Sequence, residues 1–375
     1  MRIETLAVHA GLHIDKATRS VAPPINLSTT FERDANGDYP GGYVYSRGAN
    51  PNRDDLEQAM CVLEGGVGAA AFSSGMAAIL SVFQSLAPGD HVVAPDDVYR
   101  GTAHLLEDVM SSWGLGLDFV DLTDPGRLEA AVRPETRLVW LETPSNPLLR
   151  ITDIERTAAI AHSNNAICVC DSTLATPALT RPLDLGADLV VHSTTKYLGG
   201  HGDVLGGIVV SRADDDFFKK IKRIQYLGGA VPSPFECWLV MRGLKTLPYR
   251  VRAHSENALA VAEYLAGHPE VERVYYPGLT GHPGWEIAKQ QMGGFGGIIS
   301  FQVRGGREKA FDMAGRVRII VRATSLGGPV SLIEHRASYE GPGTRAPENL
   351  LRLSVGLEHP DDLIEDLAGA LDSRR

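Results

Sequence analysis

Residues 188–203 read DLVVHSTTKYLGGHGD. The apolar run up to His192 has the form of a strand buried on both faces, as in a parallel sheet. The chain then turns polar and glycine-rich, as a loop leaving the C-terminal edge of such a strand should. That edge is where open α/β sheets bind ligands. Lys196 stands in this turn behind Ser193, Thr194 and Thr195. A lysine at a strand end can carry a Schiff base while neighbouring hydroxyl groups hold a phosphate. On the tripeptide TTK alone, a surface lysine in a polar loop is the commoner outcome, so the surrounding chain has to decide.

From about residue 51 to 212, short apolar runs alternate with helical stretches. VGAAAF, HVVAP, LDFV, RLVWLE, ICVCD, DLVVHS and GGIVVS are expected strands, with helices near 75–86, 102–113 and 153–164. Strand–helix alternation implies a mostly parallel sheet covered on both faces. Before it, residues 1–45 carry scattered prolines and no sustained periodicity, and read as an extended arm. After it comes a connecting helix broken by GGAVPSPF. The segment SENALAVAEYLAGH is an amphipathic helix, and VERVYYPG and GGIISFQV are strands of a smaller C-terminal α/β unit. GGFGG at 293–297 has no following Lys-Ser/Thr and reads as a turn entering a strand. The expected division is an arm over 1–50, a first domain over 51–240 and a second over 241–375.

With 375 residues the chain is long for one core. A hydrophobic fraction of 43% and a charged fraction of 22% are those of a globular protein. The net charge of −10 disfavours nucleic acid and anionic membranes as partners. No apolar run reaches the roughly 18 residues of a membrane span, and MRIETLAVHAGLH lacks the apolar core of a secretory signal. The cytoplasm is the expected compartment. Of four cysteines, Cys168 and Cys170 alternate along ICVCD and should share one face as buried, reduced thiols. No metal site is expected.

STTKYLGGHGD resembles the pyridoxal-phosphate lysine signature of the Cys/Met-metabolism enzymes, the group of cystathionine γ-synthase, cystathionine γ-lyase and methionine γ-lyase. The resemblance runs from about Thr5 to Leu371. It implies a fold type I pyridoxal-phosphate enzyme, an α/β protein with a mostly parallel sheet in its large domain. It also implies pyridoxal 5′-phosphate as cofactor and an amino acid as substrate. A homotetramer is expected, a dimer of dimers in which the N-terminal arm completes the active site of a neighbouring subunit.

Residue by residue, Lys196 is the expected Schiff-base lysine and proton shuttle. Asp171, closing ICVCD, can pair with the pyridine nitrogen; with Ser172 and Thr173 adjacent the residues alone favour a helix cap, and it is the family's aspartate at this place that implies the pairing. SSGMAAI at 73–79 puts Gly75 and Met76 at a helix start, where free N–H groups receive a phosphate; Ser193 and Thr195 complete the cup that the resemblance implies. Tyr99, in DDVYRGT, matches the tyrosine stacked on the cofactor ring and involved in proton transfer. Asn146, in ETPSNP, matches the residue bonded to the cofactor's phenolic oxygen and to the substrate. Tyr45 and Arg47 match residues that reach the phosphate of the partner subunit's cofactor. Arg352, in LLRLSVGLE, matches the arginine that grips the substrate α-carboxylate, and Ser325, in TSLGG, lines the same pocket.

The chain also departs from the family pattern. Arg100 replaces a glycine, Ser172-Thr173-Leu174 replaces Asn-Thr-Phe, and a His-Pro-Ala-Ser-Met-Thr-His loop is altered to His335-Arg336-Ala337-Ser338-Tyr339-Glu340-Gly341. Val44 and Thr324 stand where cystathionine enzymes often carry acids, which resembles methionine γ-lyase, yet Gly101 replaces that enzyme's pocket cysteine. The expected reaction is γ-elimination or γ-replacement, with a β-lyase on the same fold as the rival enzyme and a non-catalytic pyridoxal-phosphate-binding protein as the rival of another class.

Overall fold

The computed structural model describes residues 1–341 and 344–372. Seven strands form the larger sheet: β1 (Gly68–Phe72), β2 (His91–Pro95), β3 (Gly116–Val120), β4 (Thr136–Glu142), β5 (Ile167–Asp171), β6 (Leu189–His192) and β7 (Gly207–Ser211). Their order is β1-β7-β6-β5-β4-β2-β3, with β7 antiparallel to both neighbours and the other pairings parallel. Every expected strand of this half is present. The runs are apolar throughout because the sheet is covered on both faces. Along β5, Val169 enters one core with Phe83 and Trp140, while Cys168 and Cys170 share the opposite face with Leu141 and Ile154. The cysteines are free thiols.

Helix boundaries follow local chemistry. Asn50 caps Pro51–Glu64 by accepting from the Asn52 N–H, with proline at the first helical position. Ser233 and Glu236 form a capping box that opens Pro234–Leu244. GGAVPSPF therefore acts as the expected breaker, ending Asp216–Gly228 and starting the next helix. The expected helix near 102–113 is shorter, and widens after Arg100–His104 into a π-helical turn, Leu105–Met110. The arm is largely irregular, with one exception: Ile3–His9 is helical. Its Ile3, Leu6 and Ala7 recur at helical spacing and pack on the core that holds Leu56 and Met60.

The smaller sheet contains β8 (Val271–Tyr275), β9 (Ile298–Val303), β10 (Val321–Arg322), β11 (Leu332–His335) and β12 (Leu350–Ser354), in the order β10-β11-β12-β9-β8. All but the β10–β11 pair are antiparallel. The helix Leu247–Gly267 ties the halves together: Leu247 and Val251 lie in the first core, and Ala258, Val261 and Leu265 in that of the smaller sheet. Residues 240 and 241 fall inside Pro234–Leu244, whose Cys237, Val240 and Met241 are buried in the first core.

Candidate active site

Three parallel strands end side by side. β4 ends on Glu142 and β5 on Asp171, which are register partners; β6 ends on His192, whose Nε2 meets the buried Glu64 Oε1 at 2.6 Å. The loop beyond β6 carries Ser193, Thr195 and Lys196. Thr173 links the two loops, donating its N–H to Asp171 Oδ1 at 3.0 Å and accepting the Ser193 N–H on Oγ1 at 2.9 Å. The expected position of Lys196 at the carboxyl edge of the sheet is therefore the observed one.

A cavity of about 200 Å³ opens over this edge. Lys196, Asp171, Ser193 and Thr195 line its floor, and Gly75 and Met76 one side. Tyr99, Asn146, Ser325 and Arg352 close the remainder. Residues spread over more than 270 positions of sequence meet in one space, as the resemblance implied. Tyr45 and Arg47 do not join them. Arg47 donates to the Tyr226 carbonyl at 2.6 Å and lies over the Tyr226 ring, while Tyr45 is exposed.

Backbone builds one side of the cavity, at the start of a helix. Ser74 caps Gly75–Phe83, its Oγ accepting the Ala77 N–H at 3.1 Å. Gly75 and Met76, at the first positions of the helix, have N–H groups without intrahelical partners. A Cβ on Gly75 would stand 2.9 Å from Ser193 Cβ and 3.0 Å from its Oγ, so only glycine allows this approach. Glycine acts similarly at Gly101, where a Cβ would meet the Tyr99 ring at 2.5 Å.

Electrostatics differ around the cavity. Lys196 donates to Ser325 Oγ at 3.1 Å. Burial first, then the nearby Arg352 cation, lowers its pKa to about 8, against a raising effect of Glu334. Burial raises Asp171, with the Thr173 bonds opposing. Burial, followed by the Asp171 charge, pushes Glu142 well above the usual range. Glu142 accepts the Tyr99 N–H at 2.8 Å and the Asn146 N–H at 3.1 Å, and so fixes both loops. Burial also raises the Tyr99 phenol, which keeps its proton at neutral pH.

The opposite wall comes from the smaller sheet. Glu334 and Arg352 are cross-strand partners on β11 and β12. Glu334 Oε1 accepts from Arg336 Nη1 at 2.6 Å and forms an ion pair with Arg352 Nη2, also at 2.6 Å. Arg352 also donates to Asn146 Oδ1 and to the Ser325 carbonyl, each at 3.0 Å. These contacts hold Ser325 at φ 81°, an unusual conformation for a residue with a side chain.

Residues 4–372 match the family described as Cys/Met metabolism PLP-dependent enzyme. The chain belongs to that family. It is 49% identical to the cystathionine gamma-synthase of Mycobacterium bovis over 98% of this chain and 96% of that one. It is 43% identical to the cystathionine beta-lyase of Coxiella burnetii, covering 98% and 97%. The crystal structure of metB from Corynebacterium glutamicum superposes with a TM-score of 0.96 at 42% identity, covering 99% of this chain and 98% of that one.

As a Cys/Met-metabolism enzyme the protein uses pyridoxal 5′-phosphate, and the residues present fit it. The cavity offers an amine of lowered pKa, a helix N-terminus whose glycine leaves no room for a side chain, and a buried carboxylate at a strand end. Reading the sequence alone missed Glu142 and Glu334. Neither belongs to a local motif: Glu142 acts through the loops it fastens, and Glu334 through a cross-strand neighbour.

Proposed function

We propose that the enzyme removes or replaces the Cγ substituent of an amino acid, with Lys196 as the cofactor lysine and Arg352 as the receptor of the substrate α-carboxylate. The observation that carries this reading is their convergence: Lys196 bonds Ser325 Oγ, and Arg352 bonds the same residue's carbonyl. Gly75, Met76, Ser193 and Thr195 would hold the phosphate, Asp171 the pyridine nitrogen, and Asn146 the phenolic oxygen. When bound, the cofactor supplies a sink for the electrons left at the substrate Cα.

The chain's own residues handle the protons. Lys196 Nζ, largely buried and with pKa near 8, takes the proton from Cα and then moves one at Cβ. Tyr99, kept neutral by burial, offers its phenolic proton toward the substrate amine or leaving group. Asn146 Oδ1 and the Ser325 carbonyl orient the Arg352 guanidinium. The test is product analysis with a panel of γ- and β-substituted amino acids. The four-carbon 2-oxobutyrate with ammonia, or a new γ-substituted amino acid, supports chemistry at Cγ; pyruvate with ammonia, released only from β-substituted compounds, would replace it with the β-lyase reading that the Coxiella relative's name favours.

The assembly we infer is a homotetramer of the cytoplasm, with Tyr45 and Arg47 completing a neighbour's phosphate site. Its support is that both residues lie outside their own cavity on an arm that is largely irregular. No helix among the described residues is long and apolar enough to cross a membrane. Mixing Arg47→Ala with Lys196→Ala subunits should return about a quarter of parental activity at random pairing, since half the dimers are hybrids with one intact site of two. No recovery in verified hybrids would place the arm's residues elsewhere.

A further inference from the structure

The altered loop at 335–341 brings a second guanidinium to the cavity. Arg336 is buried, lines the cavity and shares Glu334 Oε1 with Arg352. On its other side Arg336 Nη2 donates to Glu340 Oε1 at 2.6 Å, and Glu340 Oε2 accepts from Thr344 Oγ1 at 2.6 Å. A chain of alternating charges thus runs from Arg352 through Glu334 and Arg336 to Glu340.

Such a chain is costly to bury, and an apolar wall of similar volume is often as stable. It also does not make Arg336 a free anion receptor, because both terminal nitrogens already serve carboxylates. Three of its polar atoms, Arg352 Nε, Arg336 Nε and Glu334 Oε2, are buried with no hydrogen-bond partner among the described residues. All three belong to side chains bordering the cavity. The arrangement leaves Arg352 held but incompletely engaged, as a receptor awaiting a carboxylate requires.

We propose that Glu334 and Arg336 form a two-part clamp that positions Arg352 for the substrate α-carboxylate. Glu334 fixes the turn of the Arg352 guanidinium. Arg336, anchored by Glu340, draws part of the Glu334 charge away, so that Glu334 does not close on Arg352 and occupy it. Both act through Arg352, and neither touches the reacting atoms. The inference rests on Arg352 being the carboxylate receptor proposed above.

The clamp has a signature that two unrelated structural roles lack. Arg336 meets Arg352 through the Glu334 Oε1 that both share, so within the clamp its loss should matter only while Glu334 is a carboxylate. The probe is L-norvaline, which has no leaving group, titrated into holoenzyme and read by calorimetry and by the cofactor's visible absorbance. Arg336→Gln and Glu334→Gln should each weaken binding about tenfold, the scale of one charge-assisted hydrogen bond. The double variant should be no weaker than Glu334→Gln alone. Arg336→Lys should recover most of the loss, and it carries the test with Arg336→Gln if Glu334→Gln does not fold. L-norvalinamide, without a carboxylate, should bind all variants alike.

Losses that multiply to about a hundredfold in the double variant, equal losses for the amide, or single variants within twofold of the parent would overturn the clamp. Arg352→Gln separates the two claims. If it abolishes norvaline binding while the other variants fail to couple, only the clamp falls. If norvaline binding survives Arg352→Gln, the carboxylate is held elsewhere and both claims fall.

Discussion

On the large-sheet wall of the cavity, Asp171 and Glu142 are held by backbone N–H groups from the loops beyond β5, β4 and β2. On the small-sheet wall, Glu334, Arg336 and Arg352 are held chiefly by one another's side chains. The first arrangement depends on strand ends and a helix N-terminus, so it tolerates change in side chains that do not touch the cofactor. The second depends on particular pairs and can be retuned by substitution. On the roles proposed above, the first wall serves the cofactor and the second the substrate.

The comparison breaks most severely at Lys196. Lys196→Ala should reduce turnover by roughly 10²–10⁴-fold or more, the contribution of a positioned acid–base group. Mass analysis after borohydride reduction should find cofactor on Lys196 in the parent and on no lysine in the variant. Cofactor reduced onto another lysine would move the site.

The next effect lies on the second wall. Thr324 borders the cavity, and Val44 is exposed on the arm. With no carboxylate at either position, cystathionine should be a poorer substrate than methionine or an O-acylhomoserine. A charged hydrogen bond contributes roughly 1.5–3 kcal/mol, which sets the difference at about 10- to 150-fold per contact. Comparing kcat/KM in the parent and in Val44→Glu/Thr324→Glu checks this. A parental preference for cystathionine of tenfold or more would mean that another residue holds its distal ammonium.

The smallest effect sharpens the boundary between the walls, where Lys196 sits. Only its neutral amine can attack the cofactor aldehyde. With pKa lowered from 10.5 to about 8, uptake of cofactor by the cofactor-free protein should rise about tenfold per unit below pH 8 and then level off. A rise continuing to pH 10 would show that neither burial nor Arg352 acts on it.

The two walls were also unequally legible. Lys196, Asp171 and Gly75 each sit where a strand gives way to a loop or a loop to a helix, a pattern visible locally, but their roles came from the family resemblance and not from that pattern. Glu142 closes an ordinary apolar strand, and its work for Tyr99 and Asn146 appears only once three loops converge. Glu334 lies in LIEH, a four-residue strand too short for periodicity, and its partner Arg352 is eighteen positions away on the next strand. The helix Ile3–His9 escaped for a related reason: seven residues carry too few turns to display a face without the core they pack on.

The most direct test of this division of labour measures cofactor affinity and amino-acid affinity side by side in Asp171→Asn and Arg352→Gln. Asp171→Asn should weaken cofactor binding and turnover. Arg352→Gln should leave cofactor affinity within about twofold while weakening norvaline binding roughly 100-fold, the scale of losing one partner of a buried charge pair. Equal loss of both affinities in both variants, or release of cofactor by Arg352→Gln, would contradict it.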